Sequence, residues 1–280
     1  MNDLATLNTF VPESISAKDM FSNDYASKPA ELKIQYPILP ENWDVEEKGP
    51  IPPSGVWKLW NQGSVVYSPE VKFRLLYRTF FVTEKDTEGK ELERTVEYIN
   101  MAEMNVPDTT GGFRLNKVKS SEKDKLSKPE LAHQRNLPFW ERLYVLASLT
   151  GSDGNGEPTS MESVVSIYNT KASTRGAWMD YLQTLKGNRV NPVNNWHTAT
   201  LEKKKAGTVV YWVPVFKLGA PTDDDEGAKV MIKDTEQAIS EYIAVSNRSI
   251  LSLFYKIRGE NPNQRMLNQE EDDYIPYIEG

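Results

Sequence analysis

The clearest pattern along the chain is Val71 to Val82, where β-branched and aromatic residues dominate and a polar stretch, Lys85 to Glu91, follows. It reads as a strand with a turn. Alternation separates Val71, Phe73, Leu75, Tyr77 and Phe81 from Lys72, Arg74, Leu76, Arg78, Phe80 and Val82. The first row suits a core; the second mixes cations with a ring. Leu92 to Met101 reads as the hairpin partner. A second hairpin is predicted from Arg142 to Leu149, a turn at Gly151 to Glu157, and Met161 to Tyr168. A third joins Trp196 to Glu202 with Thr208 to Phe216 across Lys203 to Gly207. Between them the spacing of Trp178, Leu182 and Leu185 predicts a helix over Thr174 to Leu185, with Ser173 at its N-cap. A helical stretch is expected from the acidic run Asp223 to Glu226 through about Arg258, with a break near Asn247 left open; the negative start suits a helix N-terminus.

These elements predict a mainly β (α+β) fold. Three hairpins and a helix point to an OB-like antiparallel barrel, of the group that commonly binds oligonucleotides. A β-sandwich stays open, because alternation does not separate closure from stacking. Residues 1–53 are rich in Pro, Asp, Glu and Ser, and read as an extended acidic arm. The β-rich body is placed at 54–217, a helical segment at 218–258 and a disordered acidic tail at 259–280. The polar stretch from Asn105 to Pro138 reads as a long mobile loop.

Charge changes the picture once it is divided. The net charge is −7, yet residues 54–217 carry 23 Lys/Arg against 18 Asp/Glu. Residues 1–53 carry four against nine, and residues 218–280 six against 13. A basic centre lies between acidic ends, which leaves room for a local basic groove. Within it, Lys72, Arg74, Arg78 and Phe80 share a strand row, with Trp57, Lys58 and Trp60 just before. Lys171 and Arg175 flank the helix start. Lys203, Lys204 and Lys205 cap a hairpin whose returning strand carries Tyr211. A site for single strands wants this mixture, since cations follow phosphates while rings stack on any base. The expectation is that these side chains line one trough and bind single-stranded DNA.

The C-terminus adds a specific motif. Glu270, Glu271, Asp272 and Asp273 precede Tyr274, Ile275, Pro276 and Tyr277. This resembles the acidic tip of bacterial and phage single-stranded DNA-binding proteins, where carboxylates precede Ile-Pro-Phe. The resemblance covers about eight residues. It departs from the family in Tyr274, which interrupts the carboxylates, and in Ile278 to Gly280, which extend beyond the aromatic. It implies a tail that recruits replication and recombination proteins through Glu270, Glu271, Asp272, Asp273, Ile275, Pro276 and Tyr277, in a phage-encoded setting. Four neighbouring carboxylates repel one another, and the apolar residues supply an anchor.

Enzymatic readings find little support. No Walker motif follows Gly151 to Gly156. Asp153 to Glu157 begins like a calcium loop, but Pro158 and Val164 stand where glycine and glutamate are needed. With no cysteine and two histidines, a structural zinc site is not expected, nor is any other metal or cofactor. The apolar runs are too short for a membrane span, and the first residues lack a secretory pattern. The expected location is the cytoplasm, that of the host if the protein is phage-encoded. A homo-oligomer stays open. The competing reading is a viral structural or host-interaction protein without DNA binding.

Overall fold

The computed structural model describes residues 28–38, 41, 44, 45, 50–86, 88–222, 224 and 226–259. Among these residues nine strands run in chain order: β1 Ala30–Gln35, β2 Val56–Asn61, β3 Ser64–Ser68, β4 Glu70–Lys85, β5 Glu91–Arg94, β6 Phe139–Ser152, β7 Pro158–Thr170, β8 Asn195–Ala206 and β9 Val209–Pro221. The helices are α1 Lys128–Arg135, α2 Ala172–Gly187 and α3 Glu226–Arg258. Among these residues the chain forms two compact units, 28–80 with 139–242 and 81–138 with 243–259. The division falls inside β4 and inside α3.

The first unit contains a closed five-strand barrel. β1 pairs antiparallel with β2, β2 with β3, and β6 with β7. β3 meets β6 at Tyr67 and Ser152, and β1 closes the ring by pairing parallel with β7. Ring neighbours thus follow chain order, and an odd strand count requires one parallel seam. From β6 the sheet continues through β4 and β8 to β9, which forms its end.

The alternation of β1 is short but regular: Ala30, Leu32 and Ile34 enter the core while Glu31 and Lys33 face outward. In β2, Trp57 and Leu59 point in, and Lys58 and Trp60 point out. The turn joining β2 to β3 holds Gln62 and Gly63 at φ 47° and 89°. Two successive left-handed residues match the twist of a two-residue hairpin, and glycine takes that conformation without strain. Val71, Phe73 and Leu75 of β4 join the same core, as do Leu143, Val145 and Leu149 of β6. Helix α2 covers it through Trp178, fully buried against Phe73 and Phe216.

The second unit is built around β5 and the end of β4, paired at Thr83–Arg94 and Glu84–Glu93. The buried Asp108 carboxylate accepts hydrogen bonds from the backbone of Thr110, Gly112 and Leu115 and from the Thr110 hydroxyl. This holds a turn in which Arg114, Leu115 and Asn116 are all left-handed. Helix α1 begins with a reciprocal cap between Ser127 and Glu130. In α3, Asn247 is buried, and its amide bonds the Glu97 backbone.

Several expectations need correction. Residues 30–35 belong to the barrel and not to an arm, because three alternating apolar positions suffice to seat a strand. Residues 105–138 contain short 3₁₀ turns and α1 in place of a featureless loop. The partner of β4 ends at Arg94, well short of Met101. Helix α3 runs through Asn247 unbroken, since that side chain has backbone partners. The tail motif, residues 270–280, lies outside the described residues, as do residues 1–27.

Candidate nucleic-acid interface

The outward face of β1, β2 and β3 brings cations and rings together. Register places Lys33 opposite Lys58, and Lys58 opposite Tyr67. Trp60 is two residues along β2, opposite Val65, and is 41% exposed. The Lys58 amine lies 5.6 Å from the centroid of the buried Tyr67 ring, so Trp60 is the ring that this face opens to a base. Partial burial lowers the Lys58 pKa and the neighbouring Lys33 lowers it further, while Glu31 opposes both. Lys33 itself pairs with Glu31 at 2.9 Å. The face therefore sets the Lys58 amine, with the Lys33–Glu31 pair beside it, near an open indole. An amine can meet a phosphate and an open ring can stack on a base.

A different arrangement occupies the barrel end near α2. The Glu141 carboxylate is fully buried and receives the Trp178 indole N–H at 3.1 Å. Arg78 and Arg175 approach it through Nε at 3.3 and 3.1 Å. Burial raises the Glu141 pKa in spite of both guanidiniums. Arg78 lies over Phe80, Arg175 over Phe139 and Lys171 over Trp140, at 5.0, 4.9 and 4.7 Å. Two cations around one carboxylate leave a positive excess, and rings flank each cation.

The sequence-predicted site residues are thus divided among several places. Lys58 and Trp60 stand together, joined by Lys33 and Tyr67. Lys171 and Arg175 share the barrel end with Arg78. Lys203 lies 5.9 Å from the Trp212 ring at the β8–β9 hairpin, and Lys204 pairs with Glu202 at 2.8 Å. Lys205 and half-buried Tyr211 are on the same hairpin. Lys72 sits over Trp196, 4.7 Å from the ring.

Two expected rings are not available to a base. Trp57 and Phe80 are each 1% exposed, and the Trp57 indole donates to the Ala199 carbonyl at 2.7 Å. Trp57 follows the core row of β2, opposite in direction to Trp60. Arg74 is also committed, to Asp224 at 2.8 Å. The single row Lys72, Arg74, Arg78 and Phe80 breaks at Leu75 and Leu76, both buried. Beyond that point Arg78 meets Glu141, on the same strand row as core residues Leu143 and Val145.

Sequence reading overlooked Lys33, Trp140, Trp196 and Lys217. The alternation of Glu31 and Lys33 with Leu32 and Ile34 was a usable signal, as was that of Trp196, Thr198 and Thr200. Among the described residues, no helix is long and apolar enough to cross a membrane, and no three His, Asp or Glu residues cluster to hold a metal. Asp153 instead accepts the Asn155 and Glu157 backbone N–H groups in the β6–β7 turn. No family model matches the chain, and no curated protein or solved structure matches it.

Proposed function

We propose that this protein binds single-stranded DNA without regard to base sequence, in replication or recombination of phage type, and acts in the cytoplasm as a binding protein. The observation that carries this reading is the outward face of β2 and β3, where Lys58 lies between Lys33 and Tyr67 beside the open Trp60. We read the closed five-strand ring as OB-like, and in such barrels the strand 2–3 face receives oligonucleotides. Ring neighbours here follow chain order, so the likeness is one of strand number and closure. The acidic segment 270–277 is assigned to recruitment of partner proteins.

Titration with oligo-dT, followed by tryptophan fluorescence at two salt concentrations, tests the reading. Binding should exceed that to duplex, with log K falling against log salt at about −0.7 per neutralised phosphate. Removing residues 268–280 should leave or strengthen DNA affinity while abolishing partner capture. Absence of oligo-dT binding, or truncation that weakens it, counts against the assignment.

A second reading is favoured by one observation. Strand β9 ends the sheet and exposes Val209, Val210, Val215 and Leu218. Exposed apolar side chains on an edge strand suit contact with another protein, as in a structural or host-interaction component. A defined protein stoichiometry in native mass spectrometry, without DNA affinity, would select that reading.

A further inference from the structure

The outward face of β4, β8 and β9 carries a separate cation–ring group. Register places Lys72 opposite Thr198 and Thr198 opposite Lys217, so that a lysine, a hydroxyl and a lysine form one row across three strands. In the neighbouring row Arg74 is opposite Trp196. The reverse side of these strands is fixed by Val71, Phe73 and Ala199, all buried in the core. Lys72 and Lys217 are exposed, two strands and roughly 10 Å apart by strand spacing. The Lys72 amine lies 4.7 Å from the Trp196 ring centroid. On the β9 side, a Cβ added to Gly219 would come within 2.8 Å of the Trp196 carbonyl oxygen. Only glycine allows this approach, so β9 runs its backbone directly against that of Trp196. Arg74 is neutralised by Asp224, and Glu70 is the acid in the next row, opposite Thr200.

We propose that this face is a second station for single-stranded DNA, an inference that rests on the binding function proposed above. Trp196 stacks on a base, and Lys72 and Lys217 take the phosphates on either side. Lys72 moves from the ring to a phosphate when the base arrives, so the ring is kept covered until it is used. The Thr198 hydroxyl supplies a neutral donor between the two amines. These groups engage phosphate and ring face only, which fits binding indifferent to sequence.

The test compares Trp196→Ala and Lys217→Gln with Lys58→Gln on the β2–β3 face, each titrated with oligo-dT. Trp196→Ala should weaken binding about 5- to 160-fold, the range for loss of one stacked base. Lys217→Gln should reduce the slope of log K against log salt by about 0.7. Should Trp196→Ala unfold the protein, the exposed Lys217→Gln still decides through its salt slope. Affinity and slope unchanged in the folded variants, with Lys58→Gln impaired, would overturn the second station and leave the binding function standing. Failure of the unaltered protein to bind oligo-dT would overturn both.

Discussion

The side-chain amide of Asn247 makes both of its hydrogen bonds to the backbone of Glu97, accepting from its N–H at 2.7 Å and donating to its carbonyl at 3.0 Å. A buried asparagine here acts as a strand partner would, closing backbone groups that no strand reaches. Asn247→Leu keeps the forked shape of the side chain and strands both groups away from water. The expected loss is about 2–4 kcal/mol of stability. Urea unfolding, with amide exchange at Glu97 as a local probe, checks it; an unchanged midpoint would remove the assigned role.

His197 is fully buried, with Nε2 donating to the Pro192 carbonyl and Nδ1 accepting from the Tyr181 hydroxyl, both at 2.7 Å. Burial lowers its pKa, partly offset by the Pro192 carbonyl. Protonation turns Nδ1 into a donor, so the Tyr181 hydroxyl must accept and turn its own proton elsewhere, while the buried ring carries a charge. Because the unfolded chain binds this proton more readily, stability falls as pH drops below about 6.5 toward the lowered folded value. His197→Gln should flatten that part of the pH–stability curve. A curve of unchanged slope between pH 5 and 7 would show that other groups govern it.

Lys117 donates to the Leu137 carbonyl, and burial, with Lys123 and Arg114 nearby, brings its pKa down to about 8. The unfolded lysine titrates near 10.4, so the unfolded state holds more protons between those values. Stability contributed by this group is therefore complete above about pH 10.4 and is lost as pH falls toward 8. An NMR titration of the lysine side chains should show one midpoint near 8, absent in Lys117→Gln.

Trp57 and Trp60 give a sharp contrast from three residues of separation. Trp57→Ala should cost about 3–5 kcal/mol, as expected for an emptied aromatic core position. Trp60→Ala should change stability by no more than about 0.5 kcal/mol. Its effect should appear in oligo-dT binding, as a loss of about 1–3 kcal/mol. Calorimetry and fluorescence titration on the same preparations separate the two; a stability loss at Trp60 equal to that at Trp57 would show that its ring is structural.

The long hairpins were legible because ten or more residues of β-branched and aromatic sequence outweigh local ambiguity. β1 was hidden by its surroundings: Pro29 and Pro37 bracket it, and the acidic composition of residues 1–53 masked six alternating positions. Trp57 and Trp60 were both legible as rings but not as opposite faces, which requires the strand to be assigned first. The partnership of Arg74 with Asp224 spans 150 residues and leaves no local signal. The same holds for Glu141, whose neighbours Arg78, Arg175 and Trp178 come from two other elements, β4 and α2. Lysines resting on rings depend on register, which alternation within one strand does not reveal.

The parallel seam joining Ala30–Leu32 to Ser166–Tyr168 sets an order of events during synthesis. The first strand leaves the ribosome well over a hundred residues before the one that it must lie beside, so the three-stranded opening segment waits with an unfilled margin. Long separations of this kind slow folding and expose sticky intermediates. A nascent chain halted before Pro158 should therefore be held by chaperones, and release through Thr170 should let the ring shut.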